Sequence, residues 1–289
     1  MLRRSIWLPA GAVLVLASLF VGLRLHRAAH GNVKAFVVAG SDLVDARCAP
    51  RGLPVVRGPG YDGQFYYRLA LDPLDLRTTS HCMRLDAPLR RGRIGFPAAA
   101  FVAAGGQERA VPWALVLVNV AGLAALAAIG GVLARDADRH VLWGLVLALY
   151  FGFLFTLGRD LGEIFEAAFV LGGLLALRKR RFVLAGMVLV VAVLAREAAL
   201  FFIGAYALVR MVEMRRGRER FGIADAPWIA PAVAFAGWQL VCLASGPLPL
   251  GHSGGDSLRP PGWDFVRGLA HWSDRLHSGS GLLQIAEAA

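Results

Sequence analysis

The feature that most constrains this chain is a series of apolar runs separated by arginine-rich breaks. A membrane helix needs about 20 mostly apolar residues, because the hydrocarbon core is about 30 Å thick and a helix rises about 1.5 Å per residue. Seven runs reach or approach that length: Ile6–Leu23, Val111–Ala134, Val141–Leu157, Leu161–Leu177, Phe182–Ala195, Ala198–Val209 and Pro227–Ala244. With 57% hydrophobic and 18% charged residues among 289, the composition leans toward lipid; a soluble domain averages about 45–50% and about 25%. The apolar content and only 3 Cys exclude disordered, collagen-like and disulfide-rich secreted classes. The expected fold class is an all-α polytopic membrane protein of about seven transmembrane helices with a large first extracytoplasmic loop. The net charge of +11 does not point to nucleic acid, because the apolar runs are too long for such a domain.

Four regions follow: an N-terminal membrane anchor over 1–23, an extracytoplasmic loop over 24–93, a transmembrane helical bundle over 94–244 and a polar C-terminal tail over 245–289. Ile6–Leu23 is longer than the usual 7–15-residue core of a signal peptide. The following His26-Arg27-Ala28-Ala29 is also a poor small-residue cleavage site, so an uncleaved anchor is expected. Ile94–Ala104 contains Pro97 and covers only about 17 Å as a helix, which reads as an interfacial or re-entrant piece. Charge agrees with that reading. If this piece does not cross, Arg135–His140, Arg178–Arg181 and Arg210–Arg220 share the side of Arg3 and Arg4, which the positive-inside rule makes cytoplasmic. The 24–93 loop carries twelve Lys/Arg against six Asp, but loops beyond about 60 residues translocate largely regardless of charge.

This parity puts Asp42, Asp45, Asp62, Asp72, Asp86, Arg159, Asp160, Glu163, Arg196 and Glu197 on the outer side together. The two runs meeting at Arg196–Glu197 span only about 21 Å and 18 Å. Short helices joined at a charged pair imply a water-filled cavity opening outward, since charge in lipid is costly. The alternative is a plain turn in which Arg196 and Glu197 satisfy each other.

The most informative stretch is Gly60-Tyr-Asp-Gly-Gln-Phe-Tyr-Tyr-Arg-Leu-Ala-Leu-Asp-Pro73. Two glycines bracket Asp62, which implies tight backbone at a carboxylate. Residues 64–71 are expected to form a short helix stopped at Asp72-Pro73, because the residue before proline resists the α region. Tyr61, Phe65, Tyr66 and Tyr67 make an aromatic cluster suited to the membrane interface, or to stacking on sugar rings. The plainer alternative is that Asp62 caps the helix and the aromatics anchor it.

YDGQFYY with its following LA.DP, Arg90-Arg-Gly-Arg-Ile with Pro97, Val111-Pro, Val118-Asn119 and Arg196-Glu197 together resemble a group of bacterial cell-surface glycopolymer formation proteins. These are similar to GT-C glycosyltransferases, and the resemblance spans roughly residues 60–245 in order. It implies an enzyme of the bacterial cytoplasmic (inner) membrane, multi-pass, with a cytoplasmic N-terminus. It further implies transfer of a sugar from a polyprenyl-phosphate carrier to a glycan or lipid acceptor outside, with a loop acid as base. Such proteins usually have more spans than seven. No DxD pair is present, since two residues separate Asp42 from Asp45. The chain ends at Gly281–Ala289 just as an apolar helix begins, which reads as a C-terminal truncation or as a shortened, inactive or active, member.

Glycosyl transfer to a hydroxyl needs a base at the acceptor oxygen and stabilisation of the departing phosphate. Asp62 is the first candidate base and Asp42 the second. Tyr61, Gln64, Tyr66 and Tyr67 are candidate substrate contacts from the same motif. Arg90, Arg93 and Arg196 are candidate phosphate ligands, because a guanidinium fork binds phosphate oxygens bidentately, with headgroup anchoring as the alternative. Asp160 and Glu163, three apart, are expected on one helix face, where they either pair with Arg159 or bind a divalent cation. Glu166, one turn further in, is expected to face the cavity, and Glu197 joins the substrate-binding candidates. No CxxC spacing supports zinc, and no other cofactor is implied. The expected partners are the lipid-linked sugar donor, its acceptor and membrane lipids, with no nucleic acid. A non-enzymatic transporter or scaffold of polysaccharide assembly is the alternative function. Cys48 and Cys82 flank the Asp62 motif, and an oxidising compartment permits a disulfide between them; two unpaired thiols are the other outcome.

Overall fold

The apolar runs form helices whose ends sort into two layers. A computed structural model describes residues 5–246. In chain order the elements are α1 (Trp7–Arg27), β1 (Ala39–Gly40), β2 (Val55–Val56), α2 (Gly63–Leu71), β3 (Thr79–Ser80), β4 (Met83–Arg84), α3 (Pro88–Gly92) and α4 (Gly95–Ala103). They continue with α5 (Val111–Asp136), α6 (Leu145–Ala148), α7 (Phe151–Leu157), α8 (Glu163–Arg178), α9 (Phe182–Ala195), α10 (Ala199–Arg215) and α11 (Ala226–Ala244). The expected tail over 245–289 and the apolar start at Gly281 lie outside the described residues, apart from 245 and 246.

Three helical segments among the described residues are long and apolar enough to cross a membrane: Trp7–Arg27, Val111–Asp136 and Ile223–Ala244. The chain is therefore a mostly helical, membrane-suited protein, but length alone does not yield the expected seven spans. Val141–Leu157 breaks into a 3-10 turn at Val141–Gly144, then α6 and α7, with Tyr150 in extended backbone between them. Helices α8, α9 and α10 have 16, 14 and 17 residues. Apolar composition does not set helix continuity, which is why the runs overstated the helices.

The contacts at helix ends define the layers. Gly131 of α5 packs against Pro9 and the Val141 carbonyl, while Gly158 after α7 packs against Phe20 and Arg24 at the other end of α1. The broken 141–157 segment thus runs alongside α1 from end to end. Lys179 after α8 pairs with Asp136 of α5 at 2.6 Å, in the same layer as Val141. Gly95 of α4 abuts the Leu194–Ala195 backbone at the end of α9, and Trp238 of α11 donates to the Arg91 carbonyl at 3.0 Å, in the opposite layer. Ile94–Ala104 is the nine-residue α4, packed on α2, α5 and α9. Nine residues rise only about 14 Å, less than half the thickness of a hydrocarbon core.

The segment over 28–93 covers the second layer. Strand β1 pairs with β2 in parallel, and β3 pairs with β4 as a hairpin. The hairpin turn places His81 and Cys82 at φ 48° and 60°, which non-glycine residues rarely adopt. Cys48 and Cys82 are joined in a disulfide with Cα atoms 5.8 Å apart. Asp45 N–H also donates to the Cys82 carbonyl at 3.0 Å. All nine residues of α2 are buried. Tyr66 and Tyr67 join Phe96, Phe165 and Leu115 in a core shared with α4, α5 and α8. The aromatic motif therefore does not form an interfacial belt: Phe65, Tyr66 and Tyr67 are inside the fold, and Tyr61 alone of the four is exposed.

Candidate functional site

The YDGQ motif works by close approach. Gly60 takes φ 68°, and a Cβ there would meet the Gly40 backbone at 2.5 Å. A Cβ on Gly63 would collide with the carbonyl of Arg159 and sit 2.7 Å from that of Val37. The start of α2 is thereby pressed onto the loop before α8. Gln64 pins the same corner, accepting from Gly40 N–H at 3.0 Å and donating to the Pro59 carbonyl at 2.8 Å. Gln64 and the buried Tyr67 are framework residues, not cleft contacts. Tyr61 lies under the Arg159 guanidinium, 4.6 Å from its centroid, and Arg159 also covers Phe155 at 3.5 Å.

Asp62 stands at the N-terminal end of α2 but makes no capping hydrogen bond. Its carboxylate instead accepts from Arg90 Nη1 at 2.5 Å and Arg93 Nη1 at 3.2 Å. Arg90 is held on its other side by Asp86 at 3.1 Å and lies 4.3 Å over the Phe65 ring. Arg93 grips Glu197 bidentately, at 2.7 and 3.0 Å. Burial would raise the Glu197 carboxyl, but that grip holds it below the ordinary glutamate range. Arg196 pairs with Glu163 and contacts Glu166 at 3.5 Å, and Thr156 reaches Glu163 at 3.4 Å. Arg196 and Glu197 do not satisfy each other. They point to different partners from one turn and tie α3, α8 and the α9–α10 junction together.

Asp62, Phe65, Tyr66, Arg90 and Arg93 line a cleft too narrow for a water-sized sphere. The Tyr66 ring packs edge-on against Phe96 with centroids 5.4 Å apart, and its hydroxyl is buried without a hydrogen-bond partner. Burial pushes that hydroxyl up to about 12, so it is a neutral donor at any physiological pH.

Several expected residues sit elsewhere. Asp42 is exposed after β1, its N–H bonded to the Gly58 carbonyl, and it does not line the cleft. Asp160 and Glu163 do not share a helix face, because α8 starts only at Glu163 and Asp160 lies in the preceding turn at φ 50°. Asp160 is fully buried, both oxygens lack partners, and burial raises its carboxyl well above the usual range. It pairs with neither Arg159 nor Glu163. The arginine trio does not stand free for phosphate, since each member already meets a carboxylate. Two residues read from the sequence only as an outer-side acid and as part of the aromatic cluster, Asp86 and Phe65, prove to position Arg90. The four-residue spacing of Asp86 and Arg90 was the legible signal for the first.

Five carboxyl groups (Asp62, Asp86, Glu163, Glu166 and Glu197) meet three guanidinium groups here. The arrangement can hold a carboxylate and two arginines at one cleft mouth, beside a neutral hydroxyl donor. The chain matches no known protein family, no curated protein and no solved structure.

Proposed function

We propose that this chain is a GT-C-like glycosyltransferase that moves a sugar from a polyprenyl-phosphate carrier to a glycan or lipid acceptor outside a bacterial cytoplasmic membrane. The observation that carries the reading is the convergence of Asp62, Arg90 and Arg93 on one cleft at the end layer of an apolar helical bundle. In the transfer, Asp62 takes the acceptor hydroxyl proton as the acceptor oxygen bonds to the sugar carbon. The bond from that carbon to the phosphate oxygen breaks, and the carrier phosphate leaves with the electron pair. Arg90 and Arg93 stabilise the charge it gains.

The topology belongs to the same proposal. Seven segments cross, four of them shorter than a full span, with the N-terminus in the cytoplasm and the 28–93 layer outside. The end-to-end course of 141–157 beside α1 supports this. So does the Cys48–Cys82 disulfide in the 28–93 layer, because such bonds persist in oxidising compartments. A thinned bilayer and the polar network at the α9–α10 turn accommodate the short helices.

A second reading, a non-enzymatic transporter or scaffold for polysaccharide assembly, is favoured by one observation: the arginines are already compensated by carboxylates. Full-length protein in liposomes with a labelled polyprenyl-phosphate sugar and candidate acceptors separates the two. Transfer that is lost in Asp62→Asn, with insertion intact, is the expected result. Translocation without transfer overturns the enzyme.

A further inference from the structure

Among the charged groups lining the cleft, Asp62 has the fewest anchors. Arg93 is fixed by two bonds to Glu197 and its side chain is only 10% exposed. Arg90 is fixed by Asp86 and by the Phe65 ring. Asp62 has no hydrogen bond from the backbone of α2, and its side chain is held only by the two arginines. A ligand cannot enter the cleft as it stands, because the space is too narrow for a water-sized sphere. Something must yield, and the least anchored group yields first.

The chemistry of the invader follows from what it must replace. It has to offer acceptor oxygens to two guanidinium groups that keep their own second anchors. It also has to use Tyr66, a side chain that lines the cleft, is 2% exposed and keeps its buried hydroxyl without a hydrogen-bond partner. A phosphate monoester has three terminal oxygens and up to two charges, so it outcompetes a singly charged carboxylate for guanidinium groups. We propose that the cleft is an ion-pair exchange site, in which a phosphate takes Arg90 and Arg93 from Asp62 and accepts a hydrogen bond from Tyr66. This rests on the transferase reading and deepens it. The monoester is the carrier once the sugar has left it, so the exchange holds that product on the two arginines until the Asp62 carboxylate reclaims them. Tyr66 acts through its hydroxyl rather than as a stacking platform.

The test is equilibrium binding to the full chain in nanodiscs, with farnesyl phosphate, inorganic phosphate and farnesol as probes. Asp62→Asn is expected to bind farnesyl phosphate about tenfold more tightly than the parent, because the internal competitor has lost its charge. Tyr66→Phe is expected to bind it about tenfold more weakly, with the disulfide and helix content unchanged. Asp62→Ala serves as a second carboxylate-free variant and should also bind more tightly. Inorganic phosphate showing the same gain at equal affinity keeps the exchange and makes free phosphate its source; preference for farnesyl phosphate makes the lipid its source. Equal or weaker binding by both Asp62 variants overturns the exchange, as does farnesol binding as well as farnesyl phosphate. Exchange behaviour in a protein that shows no sugar transfer would sink the transferase reading alone. Transfer with no gain in Asp62→Asn would sink the exchange alone.

Discussion

Replacing Cys48 and Cys82 together with alanine removes the covalent tie that closes the 34-residue stretch around the Asp62 motif. The chain-entropy relation gives about 3.8 kcal/mol for a closed loop of that length. Part of this is returned on relaxation. His81 and Cys82 are held in left-handed backbone, at φ 48° and 60°, which costs on the order of 1 kcal/mol per residue and need not persist without the bridge. The net loss is therefore about 2 kcal/mol, or roughly a 20- to 30-fold fall in protection against local opening. Native-state hydrogen exchange reads this directly at three amides of the layer. These are Asp45 (bonded to the Cys82 carbonyl), Arg84 (to that of Leu43) and Leu85 (to that of Thr78). Amides in the middle of α5 serve as the control and should not change. A loss below about threefold at the three amides refutes the entropic account, and an equal loss in α5 refutes the idea that the layer opens by itself.

Gly63→Ala should cost about 2–3 kcal/mol in thermal stability and disorder the cleft, since the added methyl meets two backbone carbonyls that cannot rotate away. Gly11→Ala, where nothing lies within 4 Å, is the neutral comparison. Asp160→Asn should stabilise the protein at neutral pH. The folded-state pKa of Asp160 is raised, so its unfavourable contribution grows as pH climbs above the unfolded value of about 4 and is absent below it. Melting temperatures of both proteins measured from pH 4 to 8 should diverge toward high pH; parallel curves defeat the prediction. Asp75 is the opposite case: a hydrogen bond from Arg77 depresses its pKa, so the stability it supplies is present above about pH 4 and lost as pH falls further. Asp75→Asn should flatten that acid-side loss in a pH titration. Single-cysteine labelling at Asp75 and Asp138, in a background lacking Cys242, should report opposite sides of the membrane. The same side for both would mean that α4 crosses after all.

The sequence by itself determined the helical, lipid-suited class, because hydropathy summed over some 20 residues survives any rearrangement of neighbours. It also located α2, expected over 64–71 and found over Gly63–Leu71, because the Asp72-Pro73 stop is a local event written in local residues. The shortness of the helix within Ile94–Ala104 was legible for the same reason. Charge pairing was not legible. Asp62 meets Arg90 and Arg93 across 28 and 31 residues, and Arg93 meets Glu197 across 104. Nothing in the neighbourhood of Arg196-Glu197 tells the two side chains to choose distant partners over each other. The tertiary structure also decided that Tyr66 and Tyr67 are core residues, because an aromatic suits a protein interior as well as a membrane interface and only packing distinguishes the two. The hairpin at His81-Cys82 was hidden as well: its left-handed turn lacks the glycine that usually marks one, and a disulfide partner 34 residues upstream holds it.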